Sequence, residues 1–240
     1  MTAGTQLSPS LHSPNRLLAR LPSDDYQRLV PHLQTVSLQP RDVLLQAHVP
    51  TRRVYFLGGG ACSILLSTAD GEAAGVALIG NEGFIGLSAI GGDSEARESA
   101  VLEIAEGDAQ AMDVEVFRRE MDRRSAFTDL MHRYIHAFIQ SLMQSVLCNA
   151  LHSIEKRCAK CLLEISDRLG RSDFPLTQDA LAAMLGVRRA SITLAEAALH
   201  RAGLIEHRHR RVVIRDPSGL EAASCECYGV VKGHLARPLL

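Results

Sequence analysis

The spacing of apolar positions changes period several times along the chain, and each change predicts a different kind of element. Leu17-Leu18-Ala19-Arg20-Leu21 and Tyr26-Gln27-Arg28-Leu29-Val30 predict two short helices separated by Pro22-Ser23-Asp24-Asp25. From Val36 to Val116 the runs shorten to strand length. Val36-Ser37-Leu38, Val43-Leu44-Leu45, Val54-Tyr55-Phe56-Leu57, Cys62 to Leu66, Gly75 to Ile79 and Ala100 to Ile104 alternate with turn clusters. Those turns are Gln39-Pro40-Arg41-Asp42, Gly58-Gly59-Gly60, Ala69-Asp70-Gly71 and Gly91-Gly92-Asp93. Short strands at regular intervals with glycine turns predict an antiparallel sandwich or small barrel. Near Val114 the period becomes helical. From Phe127 to Leu147 the apolar positions Leu130, Met131, Tyr134, Ile135, Phe138, Ile139, Leu142, Met143 and Val146 follow one another without proline or glycine. So broad a stripe predicts a helix burying two faces, one against the sheet domain and one against a second copy of itself.

A further helix is predicted from Ser153 to about Leu169, followed by the break Gly170-Arg171-Ser172-Asp173. Next comes the most informative stretch, Leu176 to Arg215. Thr177 is placed to cap a helix, since its hydroxyl can accept the orphan N–H groups of the first turn. Leu181 and Leu185 share a face of that helix, flanked by Ala180 and Met184. Gly186 supplies a tight turn. A second helix opens with Arg188-Arg189-Ala190-Ser191, buries Ile192, Ala195 and Leu199, and ends at Gly203. Ile205 and Val212-Val213-Ile214 predict two strands around His207-Arg208-His209-Arg210-Arg211. Helix, turn, helix and basic hairpin make a winged helix-turn-helix, whose second helix enters a DNA major groove N-terminus first. A helix-glycine-helix segment in an all-α protein is the plainer reading. The paired arginines at a helix start and the basic hairpin decide against it.

Charge sharpens this picture. The net charge of −1 conceals an excess of four positive charges over residues 151–240, against an excess of five negative charges over the first 150 residues. The basic half is the one with the helix-turn-helix, as phosphate neutralisation requires. No apolar run is long enough to span a bilayer, and MTAGTQLSPSLHSPNR has no secretory pattern. A cytoplasmic protein without a membrane partner is therefore expected, with Cys62, Cys148, Cys158, Cys161, Cys225 and Cys227 as thiols. The absence of tryptophan and the few aromatics argue against single-strand binding by base stacking. No Walker loop, nucleophile elbow or His-Glu-x-x-His motif is present, and no acid/base pair suggests an enzyme.

Sheet domain, long helix and winged helix-turn-helix, in this order, resemble the Crp/Fnr superfamily of bacterial transcription regulators. The resemblance is carried by Val54-Tyr55-Phe56-Leu57 with its following glycines, by Gly80-Asn81-Glu82-Gly83-Phe84-Ile85-Gly86-Leu87, and by Leu176 to Arg215. It implies an α+β chain with a jelly-roll, cyclic-nucleotide-binding-like sensor barrel over residues 15–125 after a disordered arm at 1–14. A dimerisation helix over 126–150, a DNA-binding domain over 151–220 and a tail over 221–240 would follow. It also implies a homodimer on a two-fold-related double-stranded DNA site, with RNA polymerase as a further partner, and a hinge near Asn149 to Ser153. The dimer interface would be formed by Met131, Tyr134, Ile135, Phe138, Leu142 and Val146.

Departures from the family pattern bear on ligand and base code. Cyclic-nucleotide-binding members carry a glutamate after the glycine of the phosphate cassette, where this chain has Leu87 after Gly86. The family's Arg-Ser pair is split here as Arg97-Glu98-Ser99, and Glu98 would repel a phosphate. A leucine leaves a ribose hydroxyl unpaired, at a cost of about 1–3 kcal/mol. Gly86, Leu87, Arg97 and Ser99 stand as the candidate effector pocket, with cyclic nucleotide disfavoured. Residues 1–30 contain no cysteine, unlike the iron–sulfur members. No cofactor is expected; haem and cyclic nucleotide are kept only as alternatives. In the recognition helix, Arg189 matches a guanine-reading arginine of the family, while Ala190 and Leu194 replace a glutamate and an arginine. The expected DNA contacts are Arg188, Arg189, Ser191 and Thr193 at base edges, Thr177 and Gln178 at the backbone, and His209, Arg210 and Arg211 in the wing.

Three cysteine or histidine groupings remain. Cys158 and Cys161 have metal or redox spacing but lie mid-helix, where packed thiols are the expected state. Cys225-Glu226-Cys227 could form a tail metal site or redox switch with His200, His207 or His234. His132 and His136 lie four apart on the long helix, a spacing compatible with metal or haem but more common in a solvated pair. A haem, small-molecule or redox sensor whose DNA role is secondary is the alternative function, and a barrel adaptor a third. Neither explains Arg188-Arg189 or the basic hairpin.

Overall fold

A computed structural model describes residues 13–90 and 95–239. Most of the expected arm at 1–14, and the Gly91-Gly92-Asp93 turn, lie outside the described residues. The described chain starts at a polar anchor. Buried Asn15 donates to the carbonyls of Leu57 and Gly83 at 3.0 and 2.9 Å, while its carbonyl oxygen accepts the amides of Leu17 and Leu18. A short helical turn at Leu18–Arg20 and helix α1 (Ser23–Leu29) follow.

The N-terminal domain contains strands β1 (Gln34–Ser37), β2 (Val43–Leu45), β3 (Arg53–Leu57), β4 (Gly60–Ser67), β5 (Ala73–Ile79), β6 (Ser99–Ala105) and β7 (Asp108–Asp113). They form two antiparallel sheets, of order β1-β7-β3 and β2-β6-β4-β5, whose inner faces share one core. The expected barrel is thus an open two-sheet jelly roll among the described residues. Strand β7 carries its alternation on Ala109, Ala111 and Met112, side chains too small to stand out as a hydrophobic run. Helix α2 (Val114–Asp122), capped by Asp113, leads into α3 (Ala126–Leu151), a helix of 26 residues.

Helix α3 closes the core of that domain. Phe127, Leu130, Met131, Tyr134 and Phe138 project into it, and Phe84 sits between Phe56, Phe117 and Tyr134 at ring separations of 5.8, 5.4 and 5.3 Å. Such tilted aromatic pairs add about 0.5–1.5 kcal/mol each beyond area burial. Gly83 admits Tyr134, because a Cβ there would overlap the phenol oxygen. Met131, Tyr134 and Phe138 are therefore core residues of their own chain, not interface residues as expected, and Leu142 is half-buried beside them. Of the expected interface set only Val146 is exposed, and Ile135 is half-buried. The outward stripe is instead Ile139, Met143, Val146, Leu147 and Leu151.

The C-terminal domain comprises α4 (Ile154–Leu169), β8 (Asp173–Pro175), α5 (Gln178–Leu185), α6 (Arg189–Arg201), β9 (Ile205–Arg208) and β10 (Arg211–Ile214). Its sheet has the order β8-β10-β9, and its core includes Leu162, Ile165, Phe174, Leu181, Ile192, Leu199 and Val212. The expected tail is two further helices, α7 (Pro217–Ala223) and α8 (Cys227–Ala236), with α7 packed on α4 and α8 along α3. No described helix is long and apolar enough to cross a membrane.

The two domains are docked. Strand β5 approaches α5 so closely that a Cβ on Gly75 would overlap the Met184 carbonyl oxygen. Arg168 of α4, almost fully buried, donates to Glu82 Oε1 at 3.0 Å and to the Leu78 carbonyl at 2.8 Å, both in the N-terminal domain.

Candidate nucleic-acid interface

Helix α5 begins where the Thr177 hydroxyl accepts the Ala180 amide at 3.1 Å, and it ends at Gly186, which turns the chain at φ +61°. A residue with a side chain is strained at that φ, and a Cβ there would also press on Ala74 of β5 at 3.0 Å. Helix α6 then starts with Arg188 as its cap residue. Ile192, Ala195 and Leu199 face the core, which leaves Arg188, Arg189, Ala190, Thr193 and Leu194 on the exposed face. Ser191 is half-buried at its margin. Leu194 is 73% exposed, an unusual position for a leucine unless it meets an apolar partner such as a thymine methyl group.

What orients this helix is a buried carboxylate that sequence reading did not single out. Glu196, on the inner side of α6, accepts a hydrogen bond from Gln178 Nε2 at 2.7 Å and faces His207 Nδ1 at 2.9 Å. One side chain thereby joins the start of α5, the recognition helix and the wing strand β9. Gln178 Oε1 also accepts from Arg189 Nε at 3.5 Å and Thr193 Oγ1 at 3.4 Å, so the glutamine holds the reading face in place instead of standing free for a phosphate. Asp179 lies 3.5 Å from Arg189 and restrains it further. His207 is thereby committed within the DNA-binding domain, and it is not a ligand for the tail cysteines. Replacing Glu196 with alanine leaves two half-buried groups, Gln178 and His207, without their partner; the expected loss is about 1.5–3 kcal/mol in thermal unfolding, as for hydrogen bonds to a charged group.

The wing is a two-residue hairpin. His209 and Arg210 adopt φ of +48° and +64°, the geometry of a type I′ turn that matches the twist of β9 and β10. Both are exposed at the tip, and Arg210 has no ion-pair partner among the described residues. Arg211, also expected to contact DNA, is paired with Asp173 of β8 at 2.8 Å, which offsets its charge. Arg208 and Arg215 flank Glu206; the Arg215 hydrogen bond holds that carboxyl below its ordinary range. The tip side chains His209 and Arg210 are thus the ones left for phosphate.

The remaining candidates separate into different places. Gly86 and Leu87 line a cavity of about 240 Å³ with Ile64, Val76, Phe138 and Glu98. Arg97 is exposed outside it, and Ser99 Oγ accepts the Ala47 amide at 3.1 Å. The expected four-residue effector pocket is therefore corrected: Arg97 and Ser99 are not among the residues lining the cavity, and Glu98 is. Cys158 and Cys161 are buried in the domain core, and burial pushes the Cys161 thiol up to about 12. Such thiols are packing groups, not reactive thiolates. His132 and His136 are exposed on α3, beside His234 and Arg237 at one shallow cavity.

Comparison with known proteins agrees with this geometry. A protein-family model, the Crp-like helix-turn-helix domain, matches residues 156–223. Residues 156–223 are thus similar to a Crp-like helix-turn-helix domain. Among solved structures, the fold recurs in FixK2 from Bradyrhizobium japonicum, at 18% identity and TM-score 0.62 over 80% of this chain and 98% of that one. A CRP-family transcriptional regulator from Thermus thermophilus matches at 18% identity and TM-score 0.66, over 80% of this chain and 96% of its own. The c-di-GMP responsive global regulator CLP of Xanthomonas campestris matches at 16% identity and TM-score 0.60, over 80% and 99%. A search of the curated proteins finds no match. The Crp-like domain spans α4 to α7, so the Glu196 brace, the reading face of α6 and the wing all fall inside it.

Proposed function

We propose that this chain is a sequence-specific DNA-binding transcription regulator that acts as a homodimer on a two-fold-related site. The observation that carries the reading is the exposed N-terminal face of α6, with Arg188 and Arg189 at its start and the basic wing tip beside it. Arginine suits the two acceptors of a guanine edge, and Leu194 suits a thymine methyl group, so the base code differs from that of relatives with charged residues at Ala190 and Leu194. The second copy would dock along Ile139, Met143, Val146, Leu147 and Leu151 of α3, an apolar stripe otherwise left in water. Two copies would present two recognition helices to successive major grooves on one side of the duplex.

The sensor cavity at Gly86 and Leu87 has Glu98 on its wall and no cationic side chain among its lining residues, which disfavours a phosphate-bearing effector. A cyclic nucleotide would meet an anion where it needs a cation. Regulation by a small effector would act by shifting the population of domain arrangements about the hinge at His152 and Ser153.

Selection of bound duplexes from a random pool identifies the site. With that site in hand, Arg189→Ala should cost about 1–3 kcal/mol of discrimination at one base pair while leaving non-specific binding nearly unchanged. Arg210→Ala should weaken all sequences alike and reduce the salt dependence by about one phosphate contact. Unchanged specificity in the Arg189→Ala protein would remove the recognition helix from this role.

A further inference from the structure

Three cysteines and a histidine from two distant parts of the chain meet at the hinge. Cys148 lies in the last turn of α3, and His152, one turn on, caps that helix with its amide on the Cys148 carbonyl at 3.0 Å. Cys225 lies in the link from α7 to α8, and Cys227, after Glu226, opens α8. The one potential ligand atom of each of the four residues lies within 4.8 Å of all the others, the only such group among the described residues. Cys148 Sγ and Cys225 Sγ are 3.6 Å apart, and Cys227 Sγ is 3.5 Å from His152 Nδ1.

These separations have a specific meaning. Four ligands around one tetrahedral zinc ion, at Zn–S of about 2.3 Å and Zn–N of about 2.0–2.1 Å, stand about 3.5–3.8 Å from one another. The Cys148–Cys225 and Cys227–His152 separations match two edges of that tetrahedron, and the other pairs lie within 4.8 Å. They are too short to surround a multi-iron cluster without opening the site. The three sulfurs are almost fully buried, and three unlinked thiols crowded together make only weak hydrogen bonds in exchange for lost water.

The surroundings fit a metal as well. His152 Nε2 faces Glu226 Oε1 at 3.4 Å, on the side of the ring opposite the Nδ1 that faces the sulfurs. A carboxylate behind a ligating imidazole is the usual support of a zinc histidine. Gln144 Nε2 donates to Cys227 Sγ at 3.1 Å, the kind of bond that steadies a thiolate. Glu226 thereby has a reason to stand between the two tail cysteines.

We propose that Cys148, His152, Cys225 and Cys227 bind one Zn²⁺ ion that pins the end of the α3 helix to the helices behind the DNA-binding domain. On binding, the three thiols release their protons to solvent and the imidazole ligates as the neutral ring. The ion bridges the hinge: α3 bears the apolar stripe, α7 packs on α4, and Cys225 of the α7–α8 link and Cys227 at the start of α8 become ligands. A filled site holds the recognition helix at one angle to the long helix, and an unfilled or oxidised site frees it. The metal site stands apart from the DNA-binding reading, whereas its effect on DNA rests on that reading.

The test uses the full chain, purified under reducing conditions without chelator. Elemental analysis should give one zinc per chain, and Co²⁺ substitution should give the visible absorption of a tetrahedral ion together with sulfur-to-cobalt charge transfer. The paired change Cys225→Ser with Cys227→Ser should abolish both, and His152→Ala should alter the tetrahedral bands while retaining the charge transfer. Circular dichroism of each variant separates loss of ligand from loss of fold, and the wild-type spectrum needs no variant. Stripping the metal should weaken DNA binding about tenfold, restored by Zn²⁺, and the paired serine variant should be indifferent to chelator. Failure of the reduced wild type to take up Co²⁺, uptake undiminished by the serine changes, or a metal-free Cys148–Cys225 disulfide would each overturn the site. A loaded site whose removal leaves DNA binding unchanged would overturn the coupling alone.

Discussion

Replacing Glu82 with alanine should lower the unfolding free energy by about 3–5 kcal/mol, the cost of leaving one partner of a buried ion pair behind. Arg168 and Glu82 keep only 7% and 9% of their side-chain surface exposed. Burial opposes the charge on Arg168, and the carboxylates of Glu82 and Glu164 more than offset that, holding its pKa above the ordinary arginine value. With Glu82 gone, the guanidinium keeps hydrogen bonds to the Leu78 and Glu164 carbonyls, at 2.8 Å each, and the attraction of the Glu164 carboxylate. The double change Glu82→Ala with Arg168→Met should therefore cost much less than the sum of its parts, a coupling read by a double-mutant cycle in urea. A loss below about 1 kcal/mol for Glu82→Ala, the size typical of an exposed pair, would mean that solvent already reaches this contact and the domains are not docked.

Met143→Asp combined with Val146→Asp should convert the protein to a monomer and lower its affinity for a palindromic site by roughly 10²–10⁴-fold, the avidity lost when two modules no longer act together. Both side chains are exposed in the single chain, so its own packing does not change. Across a two-fold axis each new carboxylate appears twice, and an unpaired charge buried there costs several kcal/mol. Sedimentation at micromolar concentration reads the first effect and titration of a labelled duplex the second. A variant that remains dimeric would move the interface elsewhere.

How much of this was legible beforehand depended on whether the deciding contacts were local. Strand alternation, the Gly186 turn and the arginines at the start of α6 are local signals, and six of the seven strands of the N-terminal domain and both helices of the reading motif follow from them. β7 escaped because its inward residues include alanines, and α8 because Gly229 and Gly233 weaken a helix that exists by packing on α3. On α3 the stripe runs around more than one face, and periodicity alone cannot say which side meets the N-terminal core. Bulk decided it: Met131, Tyr134 and Phe138 fill the space around Phe84, and the residues one step round the helix are left outside. Glu196 gives no local signal, and it is buried because Gln178 and His207 arrive from other elements. The same holds for the cysteines. Cys225 and Cys227 were visible as a pair, but their partners lie about 75 residues upstream, and only the return of α8 along α3 brings them together.

The most direct test of the central claim is a titration of the purified wild-type protein with its selected duplex and with a scrambled duplex of the same composition, across a range of salt. The expected result is two chains per selected duplex, an affinity at least about 10³-fold above that for the scrambled one, and a steep loss with salt for both. Equal affinity for the two duplexes, or binding that ignores salt, would contradict it.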